Sequence, residues 1–257
     1  MYSPKRQYLY HYTSFESAIK ILASQKLLFS AVGTLNDINE SSGVDYLSKD
    51  ITVKEQERFD YLLNSYSQLS FTMDTKNRRG FDIPAMWGHY AERGRGVCFA
   101  FDKRMMIKEA RKRSLYSKEV NYSPILDLDS LDYDDLRYKD PDSFIRLQKD
   151  ELFFHKSKDW EYEQEYRFIL INDDPNQRYF DITGLLSAII LYAKKYDDFL
   201  DSVEFKALYK ICRRKIFYHY NTSLISSNLY DIKGHCLTKK SVFFDMSLTS
   251  EVSNANE

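Results

Sequence analysis

A chain of 257 residues, 43% hydrophobic and 29% charged, is long enough to bury a sizeable core, and its formal net charge of -1 excludes bulk electrostatic attraction to nucleic acid or membrane. Aromatic usage is the anomaly: 21 Tyr and 17 Phe stand against eight Gly, so any single tyrosine carries little weight. Cys98, Cys212 and Cys236 are far apart with no ligand or redox spacing, which argues against a disulfide framework or a cysteine zinc site and points to a reducing, cytoplasmic setting.

From the N-terminus, Gln7 to Tyr12 reads as a strand with Tyr8, Tyr10 and Tyr12 on one side and Leu9 and His11 on the other. Thr13-Ser14-Phe15-Glu16 has capping-box form, and Phe15, Ala18, Ile19 and Leu22 give the stripe of a helix ending near Gln25. A strand follows over Leu27 to Ser30, then a polar loop with Asn36, Asp37 and Glu40. Residues 52 to 65 read as a charged helix and Gln68 to Thr72 as a strand, with the hydroxyls of Ser70 and Thr72 on one face.

Asp82 and Pro84 start a helix through Ala91, with Gly94 as its stop, and Gly96 to Phe101 reads as a buried strand. An acidic run at about 127–140 reads as a surface insertion, and Asp142 to about Phe154 as a helix. Leu186 to Tyr192 is an apolar strand, Asp198 to about Arg213 a helix, and 247–257 a frayed tail. The alternation of short strands and helices, without a dinucleotide or phosphate-loop glycine motif, favours a single mixed α+β domain over 1–246. No stretch approaches the length needed to span a bilayer, so no membrane partner is expected.

The chemistry concentrates in Trp160-Glu161-Tyr162-Glu163-Gln164-Glu165-Tyr166-Arg167. Read as extended, this segment puts Glu163, Glu165 and Arg167 on one face and Tyr166, Phe168 and Leu170 on the other; the alternative is an edge strand with a solvated charged face. Lys156, Lys158 and Arg167 could contact a pyrophosphate or neutralise the neighbouring acids. His11, at a strand end before a helix N-terminus, could meet a ligand beside free backbone N–H groups that favour anions. Trp87 and Tyr90 could stack on a flat ring or pack in the core.

Taken in order, L-Y-H-Y-T at 9–13, L-N-D-x-x-E at 35–40, S-F-T at 70–72, M-W-x-x-Y at 86–90, G-V-C-F-A-F-D at 96–102 and K-x-x-x-W-x-x-E-x-E-Y-R at 156–167 form one long pattern. Over roughly residues 8 to 193 it closely resembles a bacterial family of unknown function, DUF2971, although Ile38 stands where that family usually has Pro. That family in turn resembles the ADP-ribosyltransferases. The resemblance implies a split, mainly antiparallel sheet flanked by helices, NAD as substrate, and transfer of ADP-ribose to a nucleic-acid or protein acceptor. It further implies a toxin or anti-phage setting, with a partner protein encoded nearby.

Carried over residue by residue, the resemblance makes Glu165 the catalytic carboxylate and gives Glu163 the acceptor. His11, expected to be catalytic as well, goes with Tyr12 and Thr13 to the NAD ribose, and Ser70 with Thr72 to the nicotinamide pocket. Asn36, Asp37, Glu40, Trp87, Tyr90, Lys156 and Arg167 complete the expected NAD-binding set, with no metal. The chain lacks a clear S-T-S or H-Y-E set. The residue types suit the reaction, because loss of nicotinamide develops oxocarbenium-like charge that a carboxylate stabilises. A catalytically silent nucleotide- or nucleic-acid-binding module, a carboxylate-pair glycosidase, and a metal nuclease using Asp37, Glu40 and Glu165 are the other readings.

Overall fold

The computed structural model describes residues 7–31, 52–123, 141–171, 178–193, 196–212, 217–222, 227–231 and 236–237. The acidic insertion at 127–140, the loop of Asn36, Asp37 and Glu40 and the tail at 247–257 lie outside these residues. The fold is mixed α+β, with mainly antiparallel strand pairing. Among the described residues no helix is long and apolar enough to cross a membrane.

The chain divides into two compact units, one drawn from Met1–Lys26, Phe71–Lys108 and Asp181–Glu257, the other from Leu27–Ser70 and Glu109–Phe180. In the first, Val97–Asp102 is central. It pairs antiparallel with Tyr8–Thr13 on one side and Leu186–Tyr192 on the other, and Leu186–Tyr192 continues parallel to Phe217–Thr222. Five of the six residues of Val97–Asp102 are buried, which is why its sequence is a continuous apolar run rather than an alternating one. Gly96 precedes it of necessity: a Cβ there would stand 2.3 Å from the Thr13 carbonyl oxygen.

The helix Phe15–Ser24 follows the Tyr8–Thr13 strand directly. Its cap is Ser14 rather than Thr13, the Ser14 hydroxyl accepting from the Ser17 N–H at 3.1 Å. The helix expected from Asp198 is two, Tyr196–Asp201 and Val203–Cys212, joined at Ser202, whose hydroxyl accepts from the Phe205 N–H. The helix Lys103–Lys112 has no counterpart in the sequence reading, since only Met106 and Ala110 of its residues are buried. Its start was nevertheless marked, because the Asp102 carboxylate accepts from the N–H groups of Arg104 and Met105.

In the second unit, Glu165–Ile171 pairs antiparallel with Tyr116–Glu119, and a short parallel ribbon joins Asn121–Ser123 to His155–Ser157. Phe59, Ile145, Phe153, Phe154 and Ile169 form its core cluster, with Leu62, Leu63, Tyr66 and Leu152 packed against it. Tyr66 stacks on Phe153 at 4.5 Å. The helix expected over Asp142 to Phe154 is broken into Pro141–Leu147 and Lys149–Phe154, with Gln148 between them in a non-helical conformation.

Candidate functional site

The segment singled out by its acids is not extended throughout. Lys158–Glu163 is a 3-10 helix, Gln164 closes it in the left-handed conformation at φ 49°, and only Glu165–Ile171 is strand. Glu163 therefore reaches its neighbours from a helical turn, not from the strand face expected for it. The sharp turn at Gln164 is fixed by its backbone N–H and side-chain amide, both donating to the Glu161 carbonyl.

That turn gathers four charged side chains. Lys156 Nζ donates to Glu163 Oε2 at 2.8 Å and lies 3.9 Å from Glu165 Oε1. Arg167 grips Glu165 Oε2 through Nε at 2.7 Å and Nη2 at 2.5 Å, and donates through Nη1 to the Phe153 carbonyl at 3.0 Å. All four are buried: Lys156 is 5% exposed, Glu163 0%, Glu165 7% and Arg167 1%. Two cations face two anions, so the group is charge-balanced, as burial demands. Lys156 and Arg167 thus take the neutralising role, their charges set against the Glu163 and Glu165 carboxylates.

Trp160 lies over the Lys156 ammonium at 4.7 Å and 6.1 Å from the Tyr162 ring. The Tyr122 hydroxyl accepts from the Glu165 N–H at 2.8 Å, pinning the strand's first residue. Burial, and after it the negative charge of Glu165, pushes the Tyr122 phenol well above its ordinary range, so it stays protonated. Tyr122 was not singled out in the sequence, where one tyrosine among 21 gives no signal.

In the first unit, His11 is half-buried with its ring 5.8 Å from that of Phe71. Thr72 pairs with Tyr10 in the strand register, so its side chain shares the face of Tyr10, opposite that of His11. The Thr72 hydroxyl is buried and finds no hydrogen-bond partner among the described residues. Thr13 pairs with Val97, and Ser70, in the second unit, accepts from the Gln68 amide at 3.0 Å. The helix N-terminus beside His11, expected to offer free N–H groups to an anion, already holds one. Glu92 Oε2 accepts from the Phe15 N–H at 3.1 Å, and Ser14 caps Ser17.

Trp87 is core rather than a ligand platform. It is 2% exposed, donates to the Phe81 carbonyl at 2.8 Å, lies parallel to Tyr220 at 5.7 Å and meets Tyr12 edge-on at 5.2 Å. Tyr12 is buried with it and donates to the Gly80 carbonyl at 2.7 Å, whereas Tyr90 is half-buried, its ring 6.3 Å from that of His89. Nearby, Asp74 accepts from the Tyr10 hydroxyl, the Tyr8 and Gly80 N–H groups and Arg79. Its signal in the sequence was an acid directly after the strand stretch Phe71-Thr72-Met73, and its side chain is 4% exposed. Among the described residues no group of histidine, cysteine, aspartate and glutamate could hold a metal ion, and Asp37 and Glu40 are outside them.

The second unit's charged group falls in the part of the chain that a family model recognises. Residues 86–168 match DUF2971, described as a protein of unknown function. The DUF2971 match takes in Trp87, Tyr90, the Val97–Asp102 strand and all of Lys156, Glu163, Glu165 and Arg167; the earlier landmarks at 9–13, 35–40 and 70–72 precede it. No curated protein and no solved structure matches the chain.

Proposed function

We propose that the chain is an ADP-ribosyltransferase-like enzyme that consumes NAD, cleaving the nicotinamide–ribose bond and passing ADP-ribose to a nucleic-acid or protein acceptor in a bacterial toxin or anti-phage setting. The observation that carries the reading is the Glu165 carboxylate, held by two nitrogens of Arg167 at the first residue of a strand whose N–H is anchored on Tyr122. Such a group is fixed in direction before substrate arrives, which is what stabilising an oxocarbenium-like ribose requires. Nicotinamide departs with the bonding electron pair as a neutral molecule, so a positioned carboxylate suffices without a strong general acid. Glu163, fully buried on Lys156, acts in this reading by fixing the lysine beside Glu165. Water as acceptor would make the protein an NAD glycohydrolase.

A second reading is a catalytically silent nucleotide- or nucleic-acid-binding module. It is favoured by the charge balance of the same group, because Arg167 and Lys156 already compensate both carboxylates. Incubation with NAD and chromatographic detection of free nicotinamide separates the two. The enzyme reading expects release that Glu165→Gln lowers by about 100-fold or more, since it removes the charge and keeps the shape. Saturable NAD binding with no nicotinamide release by the natural protein would overturn it in favour of the module.

A further inference from the structure

The parallel ribbon of Asn121–Ser123 and His155–Ser157 has two faces. Tyr122 and Lys156, partners in register, face the acidic segment, the Tyr122 hydroxyl accepting from the Glu165 N–H and Lys156 donating to the Glu163 carboxylate, and strand alternation turns Ser123 and His155 the other way. There Ser123 Oγ and His155 Nε2 stand 2.5 Å apart, both half-buried. We infer that Ser123 and His155 are a nucleophile and its general base, a second reactive site that takes activated carboxylic esters.

The environment suits that use. Burial first, and the positive charge of Arg167 as well, lowers the His155 pKa, while Glu151 on the helix Lys149–Phe154 opposes them; the net direction keeps the imidazole neutral near pH 7. In the neutral tautomer that carries its proton on Nδ1, Nε2 within hydrogen-bond reach of a hydroxyl can take the hydroxyl's proton as the oxygen attacks, the arrangement that makes serine a nucleophile. With a p-nitrophenyl ester, Ser123 Oγ forms a bond to the carbonyl carbon and its proton passes to His155 Nε2. The carbon–oxygen bond to the phenol breaks, and p-nitrophenolate leaves with the electron pair. His155 returns its proton to solvent, and water, deprotonated by the same nitrogen, later releases the acid and restores the serine.

The test is incubation of the full chain with p-nitrophenyl butyrate, following nitrophenolate release and mapping acylated residues by peptide mass spectrometry. Acylation at Ser123 is expected. His155→Gln should slow it by about 100-fold, the lower range for loss of a general base, and Ser123→Cys, which keeps a nucleophile beside the imidazole, should remain acylated. The rate should fall in acid with a midpoint below the ordinary histidine range. Absence of butyryl-Ser123 in the natural protein, or equal acylation in a His155→Gln protein whose circular dichroism is unchanged, would overturn the inference and leave the contact a structural hydrogen bond.

Discussion

Glu163 and Glu165 are separated by a single residue, yet their carboxylates both reach the ammonium of Lys156, at 2.8 and 3.9 Å. Successive strand positions would send residues i and i+2 along one face several ångströms apart. The left-handed Gln164 instead folds the two acids around one cation. Arg167 supplies the second positive charge, and the group depends on all four members.

Replacing Lys156 by Met should therefore leave two buried carboxylates facing one cation and lower stability by about 3–5 kcal/mol, the cost of stranding one partner of a buried pair. Combining it with Glu163→Leu removes the orphaned charge, so the double variant should be more stable than Lys156→Met alone. Urea unfolding midpoints decide this. A double variant as unstable as the two single losses added together would show that the pair is not coupled.

Gln164 bears on the same group through its backbone. A non-glycine residue at φ 49° carries roughly 1–2 kcal/mol of steric cost, which Gly would relieve while losing the side-chain amide bond to the Glu161 carbonyl. Gln164→Gly should fall within about 1 kcal/mol of the natural protein, whereas the β-branched Gln164→Val, poorly tolerated at positive φ, should be clearly less stable. The denaturant midpoints of the three proteins give the order, and a Val variant matching Gly would refute the account.

Some of this was legible in the residues and some was not. The strands Val97–Asp102 and Leu186–Tyr192 follow from apolar runs that suit burial on both faces, and Tyr8–Thr13 from its aromatic alternation. The acids at 163 and 165 and the cations at 156 and 167 were visible as a cluster, but not their conformation. Local spacing cannot report that a tertiary partner, Lys156, would favour a helical turn over a strand. Short elements escaped for a related reason: Tyr116–Glu119 and Asn121–Ser123 are largely exposed or half-buried, so neither shows the alternation that marks a strand. The proximity of Ser123 to His155 depends on parallel pairing across 32 positions, which one sequence does not display.

Gly80 should not accept a side chain. A Cβ there would lie 2.3 Å from Tyr10 Cδ2 and 2.9 Å from the Met73 carbonyl oxygen, and the Tyr10 ring is itself held by its hydroxyl bond to Asp74. Because neither neighbour can retreat cheaply, Gly80→Ala should cost about 1–3 kcal/mol, the usual range for overpacking. Thermal unfolding of Gly80→Ala beside the surface control Gly88→Ala, where a Cβ meets nothing within 4 Å, provides the comparison. Equal melting temperatures would contradict the close approach.

The first unit should lose stability in alkali. Burial first, and then Asp74, raises the Tyr10 phenol; burial first, and then Cys98, raises that of Tyr12; burial raises the Cys98 thiol. A group whose pKa is higher folded than unfolded keeps its proton in the native chain after the unfolded chain has released it. Its stabilising contribution is complete below the unfolded value, about 8.5 for cysteine and about 10 for tyrosine, and is lost as pH rises toward the folded one. Stability from urea unfolding should thus decline from about pH 8.5 upward, with a steeper fall past pH 10. Tyr12→Phe removes one titrating phenol at the cost of its bond to the Gly80 carbonyl, so it should start less stable and decline less steeply. Tyrosinate absorbance followed through the same titration supplies the second readout: buried phenols should ionise only together with unfolding. Smooth titration of every tyrosine in the folded protein would show that the ring cluster around Trp87 is open to water.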